Sequence, residues 1–262
     1  MIRFLRAIGL VTTAVSLGIG GCASTPVSTQ VKQSLAPTGK LRVGVYPGSP
    51  SSMLKDPSGE DKGITIDLGK ALAARLGVPY EQIEFPRIAQ VLDALKAGAI
   101  DFTFTNATAA RAEEMDFAEP VVGIELGYLV LPGSPVVSVA DVDRPGIRIG
   151  VTEGGTSHRV LPARFKSASV VPASSLKAAV DLMKAGKIDA YATNKPILYE
   201  MADQLPTSKV LDGQWGIEHL AMAIPKGREP GLAFLRTFSE EAKAQGVVKR
   251  AVERSGMRGV TD

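Results

Sequence analysis

Residues 92–106 read LDALKAGAIDFTFTN, and residues 180–194 read VDLMKAGKIDAYATN. At a constant offset of 88, eight of the fifteen positions are identical, among them Lys96/Lys184, Gly98/Gly186, Ile100/Ile188, Asp101/Asp189 and Asn106/Asn194. A second echo precedes this one in each half. Leu41-Arg42-Val43-Gly44-Val45 is matched by Ile147-Arg148-Ile149-Gly150-Val151, and Gly48 by Gly154. The period is too long for a solenoid and occurs only twice. Two similar lobes account for it.

Each echo has a local structural meaning. The β-branched LRVGV and IRIGV segments read as strands that run into glycine-containing loops. The Lys-Ala-Gly element reads as a helix end, with Gly98 or Gly186 just past it. In the first half the spacing predicts helices at Ile66–Leu76, closed by Gly77, and near Ile88–Ala97, with a strand at Gln82–Phe85 between them. Strands alternating with helices predict α/β lobes with largely parallel sheets. Ligands of open α/β sheets bind beyond the carboxyl ends of the strands. Asn106 and Asn194 stand at such ends in equivalent places, as do the loops around Ser49 and Gly155; the two asparagines either read a ligand there or only cap or turn the chain.

The first forty residues are of another kind. Arg3 and Arg6 precede an uncharged apolar stretch, and Ile19-Gly20-Gly21-Cys22 ends in the only cysteine. The stretch is shorter than the roughly 20 apolar residues of a membrane helix and reads as a secretory signal. Its end resembles the bacterial lipobox, which implies cleavage before Cys22, a lipid on its sulfur, and a membrane anchor. Ala23 is not the Asp of an inner-membrane retention signal, so outer-membrane sorting stays open. A lipidated Cys22 leaves no thiol for a disulfide, metal site or nucleophile. Residues 23–39, rich in Ser, Thr, Pro and Gln, read as a flexible tether. Setting Arg3 and Arg6 aside leaves 28 basic against 27 acidic residues. That balance, without a basic tract, gives no reason to expect a nucleic-acid partner. No cofactor or metal motif is present.

Two segments suggest anion chemistry. Thr108 is a good N-cap, which puts Arg111 in the first helical turn, where a cation opposes the helix dipole. A bound carboxylate would reverse that sign; so would pairing with Glu114. In the second half, Glu153-Gly154-Gly155-Thr156-Ser157 precedes a helix that Thr156 or Ser157 can cap. This is a plausible anion nest, or only a turn. Arg87 can reach the cleft or face solvent.

Taken together, the order and spacing of these motifs resemble bacterial solute-binding protein family 3, the polar amino-acid-type receptors of ABC importers. The motifs are Leu41–Val45, Lys62–Leu68, Leu95–Asp101, Thr108–Arg111, Asp116–Pro120, Gly150–Gly154 and Ala185–Ala190. The resemblance implies a two-lobed, type II periplasmic-binding fold in which each lobe is a mixed, mainly parallel sheet flanked by helices. Two crossover segments lie near residues 123 and 215. The implied organisation is a signal peptide (1–21), lipidated Cys22 with its tether (22–39), lobe 1 (40–122 plus 216–262) and lobe 2 (123–215). The helix around Leu232–Gln245 returns to lobe 1. Arg111 would hold a ligand carboxylate, helped by Asn106, Thr108, Gly155 and Thr156.

The chain also departs from that pattern. The acid that meets a ligand ammonium falls at Asn194, the acid after the first strand near Tyr46, and the stacking aromatic near Ser49. A buried ammonium needs a negative charge, which Asn194 does not supply; Glu153 and Glu218 are the acids available instead. The expected function is a monomeric, non-catalytic, extracytoplasmic receptor. It would close on a small anionic solute, an amino acid or related organic acid, and deliver it to an ABC permease. Two alternatives remain open: a periplasmic enzyme of the cyclohexadienyl-dehydratase type, using Glu153, His158 or His219 as an acid, and an orphan surface lipoprotein.

Overall fold

A computed structural model describes residues 26–261. The signal segment and Cys22 lie outside the described residues. The first half contains α1 (Thr29–Leu35), β1 (Leu41–Val45), β2 (Leu54–Lys55), β3 (Asp61–Lys62), α2 (Ile64–Leu76), β4 (Tyr80–Glu84), α3 (Ile88–Lys96), β5 (Thr103–Asn106), α4 (Ala109–Ala112) and β6 (Met115–Phe117). The long strand β7 (Val122–Val130) leads to β8 (Arg148–Thr152), α5 (Thr156–Arg164), β9 (Ser169–Ala173), α6 (Leu176–Lys184), β10 (Ala190–Asn194), α7 (Lys195–Gln204) and β11 (Lys209–Val210). A second long strand, β12 (Gly216–Pro225), returns to α8 (Glu229–Ala244), α9 (Val247–Ser255) and β13 (Val260–Thr261).

The two halves repeat one arrangement. In the first, β4 and β1 run parallel, and Val43 bridges Phe102 in parallel just before β5. In the second, β9, β8 and β10 run parallel. Each three-strand set then meets a long strand antiparallel: β5 on β12, with Asn106 opposite Leu220, and β10 on β7, with Asn194 opposite Leu126. β7 and β12 pair with each other, Gly216 opposite Leu126 and Leu220 opposite Val122. The two crossover strands thus form a ribbon with one asparagine delivered to each side of it. This is the two-lobed α/β fold with mixed, mainly parallel sheets.

Packing explains the echoed residues. A Cβ on Gly44 would lie 2.3 Å from Ile100 Cδ1, and one on Gly150 would lie 2.3 Å from Ile188 Cδ1. Each glycine admits the isoleucine of its own repeat. Gly98 and Gly186 take positive φ just past α3 and α6, where a side chain would be strained. Apolar cores cover both faces of each sheet. α8 and α9 contribute Leu235, Phe238 and Val248 to the first lobe's core.

One expectation is corrected. Residues 29–35 are not flexible tether but helix α1, capped by Ser28, whose side chain accepts the Val31 N–H. Val27, Val31 and Leu35 share one face at four-residue intervals and pack on the first lobe's core, with Leu35 fully buried. Smaller shifts affect the other elements: α2 starts at Ile64 rather than Ile66, and the strand expected at Gln82–Phe85 spans Tyr80–Glu84.

Candidate functional site

A small cavity of about 40 Å³ lies between the lobes, where the strand ends of both meet the crossover ribbon. By the space one ordered water occupies, it would hold about three.

On the lobe 1 side, Thr108 caps α4 by accepting the Arg111 N–H at 3.2 Å. Thr108 is a cap and not part of the cavity wall, whereas Arg111 lines it. The Arg111 side chain is 3% exposed. Its Nη1 donates to Thr105 Oγ1 at 2.8 Å and to the Asn106 carbonyl at 3.2 Å, while its buried Nε has no partner. Burial lowers the guanidinium pKa from its ordinary value, and the charge of Glu218 opposes that shift. Glu114 pairs with Lys96 rather than with Arg111. A guanidinium removed from water and incompletely bonded costs several kcal/mol unless an anion meets it.

Both asparagines have fixed amide orientations. Asn194, at the end of β10, caps α7: its Oδ1 accepts the Ile197 N–H at 3.2 Å. Its Nδ2 therefore points away from the helix and donates to Glu218 Oε2 at 3.0 Å. Asn106 Oδ1 accepts the His219 N–H at 2.9 Å. Its Nδ2 then faces Thr156 Oγ1 at 3.2 Å, across the cleft, and Glu218 Oε1 at a long 3.5 Å. Glu218 sits on β12, two residues before Leu220, and both line the cavity. It is 6% exposed.

The nest at residues 153–157 is built differently from the expectation. The N-cap of α5 is Gly155, and no side chain caps it. Thr156 Oγ1 turns to Asn106, and His158 Nδ1 accepts the Gly154 N–H at 3.0 Å. Gly155 and Thr156 line the cavity, next to first-turn N–H groups that no side chain occupies. Tyr46, at the end of β1, also lines it. Burial raises the phenol pKa, the nearby Ser49 hydroxyl opposes this, and the Glu218 charge adds to it.

Besides Thr108, two residues fall outside the cavity wall. Ser49 is fully buried in the loop, 2.9 Å from Ser51 Oγ, and it is Ser51 that lines the cavity. Arg87 stands at the seam between the lobes, not in the cavity wall: its Nη2 lies 3.2 Å from Glu153 Oε2, and its Nη1 reaches the Ser174 carbonyl at 3.5 Å. Sequence reasoning offered Glu218 only as one of two substitute acids. Its signal was phase: Glu218 occupies the same alternate positions of β12 as the buried Leu220, Met222 and Ile224. Among the described residues, no group of three His, Cys, Asp or Glu side chains is placed to hold a metal.

Known proteins share this frame. The glutamine-binding protein GlnH of a Bacillus subtilis ABC transporter is 26% identical over 92% of this chain and 90% of its own length. A solved ancestral arginine-binding protein bound to glutamine superposes with a TM-score of 0.73 at 27% identity, covering 82% of this chain and 96% of that one. An ancestral amino-acid-binding protein, a precursor of cyclohexadienyl dehydratase, gives 0.73 at 26% identity, over 86% and 98%. Residues 41–255, which include both lobes, the crossover ribbon and every cavity residue described above, match one family along their whole length: the chain belongs to the bacterial extracellular solute-binding proteins, family 3.

Proposed function

We propose that this protein is a non-catalytic receptor of an ABC importer that closes its two lobes on a small amino acid and presents it to a permease. The observation that carries this reading is Arg111, a buried guanidinium with a bare Nε beside the interlobe cavity. A ligand carboxylate supplies the missing acceptor, assisted by the uncapped N-terminus of α5. The names of the related glutamine- and arginine-binding proteins favour the amino-acid class.

The enzymatic reading is less well supported. The acids it would use are engaged outside the cavity wall: Glu153 with Arg87, and His158 with the Gly154 N–H. His219 is exposed on β12.

A thermal-shift screen of amino acids, 2-hydroxy acids and 2-keto acids tests the receptor reading, because a ligand that binds the folded state raises its apparent stability. Arg111→Ala is expected to weaken the best ligand by about 30-fold or more, since truncating one side of a buried charge pair costs about 2–5 kcal/mol. Unchanged affinity would remove Arg111 from the site. The lipid anchor on Cys22 belongs to the same reading. Metabolic labelling with a radioactive fatty acid should mark the wild type and not Cys22→Ser; label retained on the variant would exclude this anchor.

A further inference from the structure

We propose that Glu218, on the crossover strand β12, is the residue that reads the ligand's ammonium group. It would take over the charge that position 194, occupied by Asn, does not carry. The proposal rests on the reading of the cavity as an amino-acid receptor site and specifies which protein charge meets which ligand charge.

Three observations carry it. The first is a buried carboxylate with no cation bonded to it. Glu218 is 6% exposed, and its bonds within the cavity come from two neutral amides, Asn194 Nδ2 at 3.0 Å and Asn106 Nδ2 at a long 3.5 Å. A carboxylate offers about four acceptor sites, so capacity remains for a cation. Neutral donors alone leave the charge unbalanced at low dielectric.

The second observation is polarity. Arg111 lines the same cavity, yet it bonds to Thr105 Oγ1 and the Asn106 carbonyl, not to Glu218. The two buried charges flank Asn106, one bonded to its backbone and the other facing its side chain. A zwitterion satisfies both ends at once. A simple carboxylate satisfies Arg111 and leaves Glu218 with no directly bonded cation.

The third is orientation. The Ile197 and His219 N–H groups occupy both asparagine Oδ1 atoms. Neither amide can turn its oxygen toward an ammonium without losing a backbone bond. Both asparagines therefore position Glu218, and Glu218 is the group that meets the cation. Asn194→Asp is therefore expected to weaken amino-acid binding. A carboxylate there would sit against Glu218 Oε2, where the amide now donates at 3.0 Å, and would repel it.

The experiment uses the protein from residue 23 onward and the proteinogenic amino acid that gives the largest thermal shift. Its affinity is compared with that of its own 2-hydroxy acid by calorimetry, for wild type, Glu218→Gln and Asn194→Asp. Wild type should prefer the amino acid by about 100-fold, from the cost of leaving one buried charge unpaired. Glu218→Gln should lose most of that preference while holding the hydroxy acid within about 3-fold of wild type. Asn194→Asp should bind the amino acid more weakly than wild type does.

If wild type binds the two ligands equally, Glu218 does not read an ammonium and the receptor reading survives. An Asn194→Asp variant that binds the amino acid more tightly would return the role to position 194 and overturn the proposal. So would a Glu218→Gln variant that keeps the full preference. If neither class of acid binds wild type, the receptor reading itself fails, and this proposal with it. Wild-type discrimination and the Asn194→Asp result decide the matter even if Glu218→Gln does not fold.

Discussion

Asp101 and Asp189 occupy equivalent places in the two echoes, and each grips the arginine of its lobe's first strand in the same fork. Asp101 accepts the Arg42 N–H at 3.1 Å, and its Nε and Nη2 at 2.8 Å each; Asp189 accepts the Arg148 N–H at 2.8 Å, Nε at 3.0 Å and Nη2 at 2.7 Å. Their surroundings differ. Asp101 is wholly buried and also holds Arg228, whereas the Arg148 side chain is 39% exposed. Removing one member of a buried pair strands the other and costs about 3–5 kcal/mol; a solvated pair is worth about 1 kcal/mol or less. Urea unfolding should therefore place Asp101→Ala well below Asp189→Ala in stability, and equal losses would contradict this account of burial. The second clamp also has a pH signature. Hydrogen bonds from Arg148 hold the Asp189 carboxyl below the usual aspartate range. Its stabilising contribution is complete above the unfolded aspartate pKa of about 3.9 and is lost as pH falls through the lower folded value. Asp189→Asn should flatten that part of the acid limb.

At the scale of elements, α1 is the test of how far the sequence can be read. The repeats were legible because their residues do local and symmetric work: Gly44 and Gly150 admit Ile100 and Ile188, and the aspartates clamp the strand arginines. α1 was not legible from composition, since Ser, Thr and Gln suit a tether as well as a helix. Its signal was the spacing of Val27, Val31 and Leu35, and that face has meaning only once α8, about 200 residues later, is beside it. Glu218 was hidden in the same way. Nothing near it in sequence says that β12 will run between Asn106 and Asn194. The docking of α1 has a measurable consequence. Leu35 is fully buried, Ser34 Oγ accepts the Gly231 N–H at 3.2 Å, and the Arg228 guanidinium donates to the Ser34 carbonyl at 3.1 Å. Leu35→Ala should cost about 2–5 kcal/mol and open residues 26–36 to limited proteolysis. A variant as stable and as resistant as wild type would mean that α1 contributes nothing to the lobe.

At the scale of the whole molecule the lobes meet at two seams, which the proposed receptor would make on closing. Gly48, in the loop after β1, lies against Leu176 at the start of α6; Gly154, in the loop after β8, lies against Ala89 at the start of α3. Beside the second seam, Arg87 and Glu153 pair with side chains 24% and 47% exposed. An ion pair this solvated contributes about 1 kcal/mol at most, so Arg87→Ala should weaken ligand binding by about 5-fold or less. The glycine contact is steric and stronger. A Cβ on Gly154 would come within 2.5 Å of Ala89 Cβ and 3.3 Å of its Cα, atoms that no rotamer change can move. Gly154→Ala should therefore hold the lobes apart. Affinity falls in proportion to the closed fraction, here by about 10-fold or more. Small-angle scattering should show the ligand-saturated variant more expanded than saturated wild type. Strain is a competing cause, because Gly154 has φ +74° and alanine is disfavoured there. The double variant Gly154→Ala with Ala89→Gly separates the two. It keeps the strained backbone but removes the opposing Cβ, so affinity and compaction should largely return. If the double variant stays as weak and as open as the single one, the fit of Gly154 against α3 does not govern closure.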